Sequence, residues 1–214
     1  MNTYLSKLPL NPKSRQVQSE INNLYEFHRT IMQAFPADQD RKNASVLFRL
    51  ENKTSGYPPS LTALVQSKIK PDWRFLQEIN HYLAEAVVQV KEFNPIIKQS
   101  DVFRFALCAN PTLRKSDTKK LVPIVKESDL MEWIISKGDQ YGFIPELASL
   151  TIQKQPPVVF YKRQGSKSHK INLALADFSG ILKVQDRDKF YTGLTMGIGR
   201  ARSFGCGLLS IARF

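Results

Sequence analysis

Cysteine is nearly absent: the 214-residue sequence has two, Cys108 and Cys206, far apart and in no CxxC pair. That excludes a disulfide framework or a zinc ribbon and suits a reducing cytoplasm. Long apolar runs are missing too, and no stretch approaches the ~20 residues of a membrane span. The opening Met1-Asn2-Thr3-Tyr4-Leu5-Ser6-Lys7 lacks the basic start and apolar run of a signal peptide. A cytoplasmic protein without a membrane partner is expected. His28, His81 and His169 are the three histidines, and they share no ligand spacing, so no metal and no cofactor is expected. GxSxG, HExxH and EF-hand patterns do not occur. Asp38 and Asp40 are paired acids, but they stand beside Arg41 and Lys42 in a polar stretch that reads as solvated surface.

Acidic residues are in short supply. There are 19 Asp plus Glu against 31 Lys plus Arg, a formal net charge of +12. Between Glu146 and Asp177 no acid occurs at all, while Lys154, Lys162, Arg163, Lys167 and Lys170 fall inside. A one-sign stretch in a basic protein favours a polyanion, because each phosphate contact releases condensed counterions. The alternative is a solvated loop that keeps the protein soluble. What is plentiful is apolar surface: 42% hydrophobic and 10% aromatic residues are enough for a packed core.

Periodicity predicts a strand over 3–10, closed by Asn11-Pro12. A helix follows over 23–34, with Leu24, Phe27, Ile31 and Phe35 at helical spacing and Pro36 as its stop. Strands over 45–51 and 60–66 flank a loop of turn residues. A second helix opens at Pro71-Asp72-Trp73 with Trp73, Leu76, Ile79 and Leu83 on one face, and a strand over 87–93 closes the set. The same order then starts again. A strand over 102–107 is followed by a basic loop with Arg114, Lys115, Lys119 and Lys120. Ser128 caps a helix carrying Leu130, Trp133 and Ile134, with Lys137-Gly138 as its stop. Strands are predicted over 147–152, 158–163, 170–175 and 178–184, a helix over 186–196, and a last strand over 207–212. The fold class is α+β, with two tandem ferredoxin-like (RRM-like) βαββαβ domains, one over 1–97 and one over 98–214. Only the order of elements repeats, since the two halves share no words.

Two local signals carry chemistry. The first is Gly197-Ile198-Gly199-Arg200-Ala201-Arg202-Ser203-Phe204-Gly205-Cys206-Gly207. Its glycines permit positive φ and close backbone approach, and Arg200 and Arg202 add charge. It reads either as a phosphate-binding backbone or as a tight helix-to-strand connection. A Rossmann loop is excluded because position 202 is not glycine, and a Walker loop because no Gly-Lys-Ser/Thr closes it. The second signal is His28, one turn from Tyr25 on the first helix, so that the two share a face. Histidine exchanges protons near neutral pH and a tyrosine hydroxyl can assist; the alternative is a core histidine.

Tyr4-Leu5-Ser6-Lys7-Leu8, the Tyr25-Glu26-Phe27-His28 helix, Phe103-Arg104-Phe105-Ala106-Leu107-Cys108-Ala109-Asn110-Pro111 and the glycine block continuing into Leu208-Leu209 occur in that order. Together they resemble the CasE family, the CRISPR RNA-processing endoribonucleases of type I-E Cascade, over essentially the whole chain. The resemblance implies two ferredoxin-like domains, cleavage of the CRISPR repeat transcript beside its hairpin, and retention of the product with other Cascade subunits as partners. One departure is the segment before Asn110-Pro111, where members often carry Arg-Leu-Arg-Ala-Asn-Pro, so a basic contact is missing there.

RNA brings its own nucleophile, the 2′-hydroxyl beside the scissile phosphate, so cleavage needs in-line orientation, proton transfer and charge stabilisation but no metal. The resemblance gives His28 the role of general base or general acid, Tyr25 that of hydroxyl partner, and a lysine or arginine of the 162–170 hairpin, with Lys170 the first candidate, that of the cation beside the phosphate. Lys162, Arg163 and Lys167, the basic loop Arg114, Lys115, Lys119 and Lys120, and Gly197, Gly199, Arg200, Arg202 and Gly205 are the RNA-binding candidates. A hairpin is recognised mostly by shape and backbone, since the A-form major groove is too narrow to read. The alternative is a non-catalytic scaffold that binds the RNA hairpin, which the same basic segments would serve. A stand-alone RRM protein is disfavoured by the missing K/R-G-F/Y-G/A-F-V-x-F/Y strand.

Overall fold

The computed structural model describes residues 3–36, 44–53, 60–164 and 167–214, with the side chains of 53 and 163–167 also left aside. The acid pair Asp38 and Asp40, its neighbours Arg41 and Lys42, and the turn residues 54–59 lie outside the described residues. The chain divides into two compact units. One comprises Met1–Pro95, Phe160–Lys170 and Ser203–Gly205; the other comprises Ile96–Val159, Ile171–Arg202 and Cys206–Phe214. Residues Phe160–Lys170, the tip of the basic hairpin that the sequence groups with 98–214, thus pack with the first unit.

In the first unit, β1 (Tyr4–Leu10) alternates Ser6, Leu8 and Leu10 inward with Lys7 outward. It pairs antiparallel with β3 (Ser60–Ser67) and β4 (Gln89–Glu92), and β3 pairs with β2 (Leu47–Lys53). The sheet order is β2-β3-β1-β4. Helix α2 (Leu24–Met32) lays Leu24, Phe27, Thr30 and Ile31 into a core shared with Leu8, Leu10, Phe48, Val65, Trp73 and Tyr82. A further helix, α1 (Arg15–Ile21), is not foreseen by the sequence pattern, although its Ser14 cap accepts from the Val17 amide at 3.4 Å. Only Val17 and Glu20 of α1 are buried, so it carries almost no apolar stripe.

The helix expected from Pro71 onward is reduced to one turn, α3 (Phe75–Glu78). Its apolar spacing is helical, but tertiary pairing takes the chain elsewhere. Leu83 bridges Leu10 beside β1, the Asn11 amide donates to the Tyr82 carbonyl (2.9 Å), and the Ala84 amide donates to the Pro9 carbonyl (2.8 Å). Tyr82 is buried with its hydroxyl donating to Glu20 Oε2 at 2.6 Å. Sheet-edge hydrogen bonds satisfied along β1 outweigh another turn of a short helix.

The second unit repeats the strand order. β5 (Val102–Ala109) and β12 (Ala176–Val184) are central, β13 (Leu209–Ala212) pairs with β5, and β8 (Phe143–Pro145) and β9 (Thr151–Lys154) both pair with β12, all antiparallel. With β8 and β9 counted as one edge position of the five-stranded second sheet, both sheets run 4-1-3-2, the ferredoxin-like arrangement. Helices α4 (Glu127–Tyr141) and α5 (Arg187–Met196) supply the apolar faces, with Trp133 stacked on Phe178 at 5.4 Å and Phe103 on Phe190 at 6.3 Å. Two hairpins interrupt the plan: β6 (Thr112–Arg114) with β7 (Leu121–Pro123), and β10 (Val158–Gln164) with β11 (Lys167–Leu173).

Helix α4 does not stop at Lys137-Gly138. Gly138 is buried where a Cβ would run into the Phe143 carbonyl, so its glycine serves a close approach, and the helix ends at Gly142 with φ 69° in the left-handed region. Nor does Ser128 cap it; α4 starts one residue earlier, and Ser128 Oγ donates to Asp129 Oδ1 at 3.1 Å.

Candidate functional site

The burial of Phe27 and Ile31 fixes the rotation of α2, and that rotation leaves Tyr25 and His28 on its half-buried flank. Phe27 meets Phe48 of β2 edge-on at 5.4 Å, and the His28 ring lies 6.4 Å from the same Phe48 at an interplanar angle of 35°. His28 therefore stands on an aromatic shelf. Burial there disfavours the charged imidazolium, and the Lys162 ammonium disfavours it further, so His28 titrates below its ordinary value of 6.5. The imidazole is neutral at pH 7, ready to accept a proton.

Lys162 arrives from the first-unit tip of β10. Strand alternation puts Phe160 and Lys162 on one face and Tyr161 on the other. Phe160 is buried against Phe204, edge-on at 5.0 Å, Tyr161 is exposed, and Lys162 Nζ sits 5.3 Å from the centre of the Tyr25 ring. A cation over an aromatic face at that distance is attracted by the ring quadrupole, worth about 0.5–1 kcal/mol at an exposed site. Asn23, at the start of α2, donates from Nδ2 to the Tyr161 carbonyl at 3.2 Å.

Among the described residues, then, the cation that meets the Tyr25 and His28 pair is Lys162. Lys170, the first candidate for that role within the same hairpin, is exposed on β11. The side chains of Arg163 and Lys167 lie outside the described residues. The basic loop of the second unit is the β6–β7 hairpin; Lys115, Lys119 and Lys120 are exposed on it, while Arg114 donates to the Lys119 carbonyl at 2.7 Å and so braces its own turn.

The glycine block has a packing reason at three positions, one of them Gly199, where a Cβ would stand 3.2 Å from the Trp133 ring. Gly207 has φ 86°, and a Cβ there would stand 2.8 Å from the Ile198 carbonyl oxygen; its amide donates to the Cys108 carbonyl at 2.8 Å and its own carbonyl accepts from Ile198. Gly205, at φ 80°, lies where a Cβ would meet the Phe48 ring at 3.1 Å. The absence of a side chain at 205 thus leaves room for the Phe48 ring. Gly197 and Gly199 also take positive φ, 81° and 85°. Arg202 donates to the Met196 carbonyl at 2.6 Å, tying down the end of α5, whereas Arg200 is exposed. Cys108, a buried thiol before Ala109-Asn110-Pro111, is pushed up in pKa by its hydrogen bond with Cys206 and by burial.

Asn23, Phe48, Phe160 and Phe204 belong to the site without having stood out in the sequence. Alternation in β10 marks Phe160 as inward-facing, but nothing in the sequence marks the other three.

Two ferredoxin-like units, with a neutral histidine on an aromatic shelf beside a tyrosine and a lysine, define a tandem ferredoxin-like protein with a candidate acid–base site next to a cation. The profile of the family described as CRISPR associated protein matches residues 3–213. The chain belongs to that family, and within it to the CasE group that its motifs resemble. It is 32% identical to the CRISPR-associated endoribonuclease Cse3 of Thermus thermophilus over 219 residues, 98% of this chain and 99% of that one. It is 26% identical to the CRISPR system Cascade subunit CasE of Escherichia coli, over 98% of both chains. The solved structure of Thermus thermophilus Cse3 bound to an RNA representing a pre-cleavage complex matches with a TM-score of 0.83 at 30% identity, covering 100% of both chains.

Proposed function

We propose that this chain is the endoribonuclease that cleaves CRISPR repeat precursor RNA beside the repeat hairpin, keeps the hairpin product, and serves in the cytoplasm as a Cascade subunit. The observation that carries the proposal is the placing of a neutral, half-buried His28 beside both Tyr25 and Lys162. That is the equipment for moving a proton next to a phosphate.

The 2′-hydroxyl of the nucleotide before the cut is the nucleophile. His28, neutral at pH 7, accepts its proton as the oxygen attacks phosphorus in line, the P–O5′ bond breaks, and the departing 5′-oxygen takes up a proton from solvent water. The products are a 2′,3′-cyclic phosphate and a 5′-hydroxyl. Lys162 faces the charge that gathers on the phosphorane, where a preorganised cation is worth most. Tyr25 presents its hydroxyl on the same helix face and its ring as the seat of Lys162. No metal enters these steps.

The test is end-mapping of a repeat hairpin RNA incubated with the protein in excess EDTA. One cut beside the hairpin, a cyclic phosphate on the upstream fragment, and no cut when the nucleotide before the scissile bond is 2′-deoxy are expected. A bound but uncut hairpin in the wild-type protein would make the chain a binding scaffold. Cleavage lost on chelation and restored by Mg²⁺ would overturn the metal-free route.

A further inference from the structure

Asn23 stands at the first turn of α2, where an asparagine ordinarily accepts a hydrogen bond from a backbone amide of that turn through its Oδ1. Here it makes no such cap bond. Among the described residues its Oδ1 is buried without a hydrogen-bond partner, while its Nδ2 reaches across to the Tyr161 carbonyl at 3.2 Å. A buried acceptor left unpaired costs stability, so the needs of the helix do not explain this side chain. The bond it makes instead joins the helix that carries Tyr25 and His28 to the strand that carries Lys162, at the peptide immediately before that lysine.

The position of that bond matters. Tyr161 is exposed and faces away, so its side chain does not hold β10 against α2. The strand is seated by Phe160 on Phe204 at one residue and by Asn23 at the next. Lys162 has a long, flexible stem, and its ammonium group rests over the Tyr25 ring without a hydrogen bond to it. Fixing the peptide one residue upstream sets where that stem begins.

We propose that Asn23 is a positioning residue for RNA cleavage, its amide pinning the Tyr161 carbonyl so that Lys162 stays over Tyr25 and beside His28. This rests on the catalytic reading of His28 and Lys162. The proposal predicts a division of labour: loss of the amide bond lets the lysine drift, which slows the chemical step while leaving capture of the hairpin intact.

The charged groups around His28 keep the readout clean. Glu26 and Arg29 on α2 pair with each other at 2.8 Å, and on β2, which carries the Phe48 shelf, Arg49 and Glu51 pair at 2.5 Å. Lys162 is the charge that depresses the imidazole, so the His28 titration reports whether that lysine is in place.

Asn23→Ser and Asn23→Asp test this, since both residues are good helix starters and neither can make the bond. Serine is too short to reach the carbonyl, and the carboxylate has no proton to donate to it. In Asn23→Ser, the His28 titration followed by NMR should move up toward 6.5, and single-turnover cleavage should slow by roughly 10–100-fold, with hairpin affinity within about twofold of wild type. Asn23→Asp should slow cleavage at least as much. Cleavage within about twofold of wild type in both variants, or an unmoved His28 titration in Asn23→Ser, overturns the proposal. The catalytic reading itself fails separately, if His28→Ala still cleaves at the wild-type rate.

Discussion

Lys162 Nζ lies 5.3 Å from the centre of the Tyr25 ring, and the same ammonium group helps hold the His28 imidazole below its ordinary titration range. One cation from a hairpin thereby acts on both candidate residues of a helix remote from it in sequence. Together with burial, which is the larger cause, it disfavours the charged form of the histidine.

Removing the imidazole should separate chemistry from binding. His28→Ala should lower single-turnover cleavage by about 10²–10⁴-fold, the usual share of proton transfer, with hairpin affinity nearly unchanged. Tyr25→Phe keeps the ring under Lys162 and should do less harm. Rapid-quench rates beside filter-binding constants check both, and a histidine variant that cleaves normally would make His28 a packing residue.

Lys162→Met should be impaired in rate and altered in pH dependence. Loss of one preorganised charge-stabilising group costs about 10²–10³-fold. His28 should then titrate closer to 6.5, though still below it, because burial is the larger cause and remains. The acid limb of the cleavage profile therefore moves to higher pH. A profile that keeps its midpoint would mean the lysine does not act on the histidine.

The same depressed pKa makes a statement about stability. The unfolded chain protonates His28 near 6.5 while the folded chain resists. The stability this contributes is thus full above 6.5 and is lost as pH falls from there through the lower folded value. Urea unfolding of wild type and His28→Gln at pH 7.5 and 5.5 should show the wild type losing more on acidification. Equal losses would contradict the shift.

Hairpin binding should be read by salt. Changing Lys162, Arg163, Lys167 and Lys170 to Ala should weaken RNA binding and flatten the plot of log affinity against log salt by roughly 0.7–0.9 for each phosphate no longer neutralised. An unchanged slope would shift the RNA path to the β6–β7 hairpin with Lys115, Lys119 and Lys120.

In the glycine block, backbone and charge should part company. Gly207→Val forces a β-branched residue to φ 86° against the Ile198 carbonyl and should destabilise by at least about 1–3 kcal/mol, seen as early melting. Arg200→Ala touches only an exposed charge and should weaken hairpin binding with an unchanged melting temperature. An arginine variant that binds normally would leave the block a connection and nothing more.

How much of this was written in the sequence differs element by element. The α2 stripe of Leu24, Phe27 and Ile31, the alternation of β1 and β5, and the doubled βαββαβ order were legible, because apolar periodicity is a local property of the chain. So were His28 and Tyr25 as a pair one turn apart, and the glycines that need positive φ. The one-turn α3 was not, because hydrogen bonds to β1 that only exist in the folded sheet drew residues 82–84 out of a helical pattern. The choice of Lys162 over Lys170 was not legible either. Both are basic residues of one acid-free stretch, and which of them faces Tyr25 depends on how the tip of β10 packs in the first unit. Asn23, Phe48 and Phe204 joined the site for the same reason: hydrogen bonds and ring contacts between distant segments have no period in the sequence. The sequence by itself determined most of the elements, the excess of positive charge and the one-turn spacing of Tyr25 and His28; only the tertiary structure decided that Lys162 would face them.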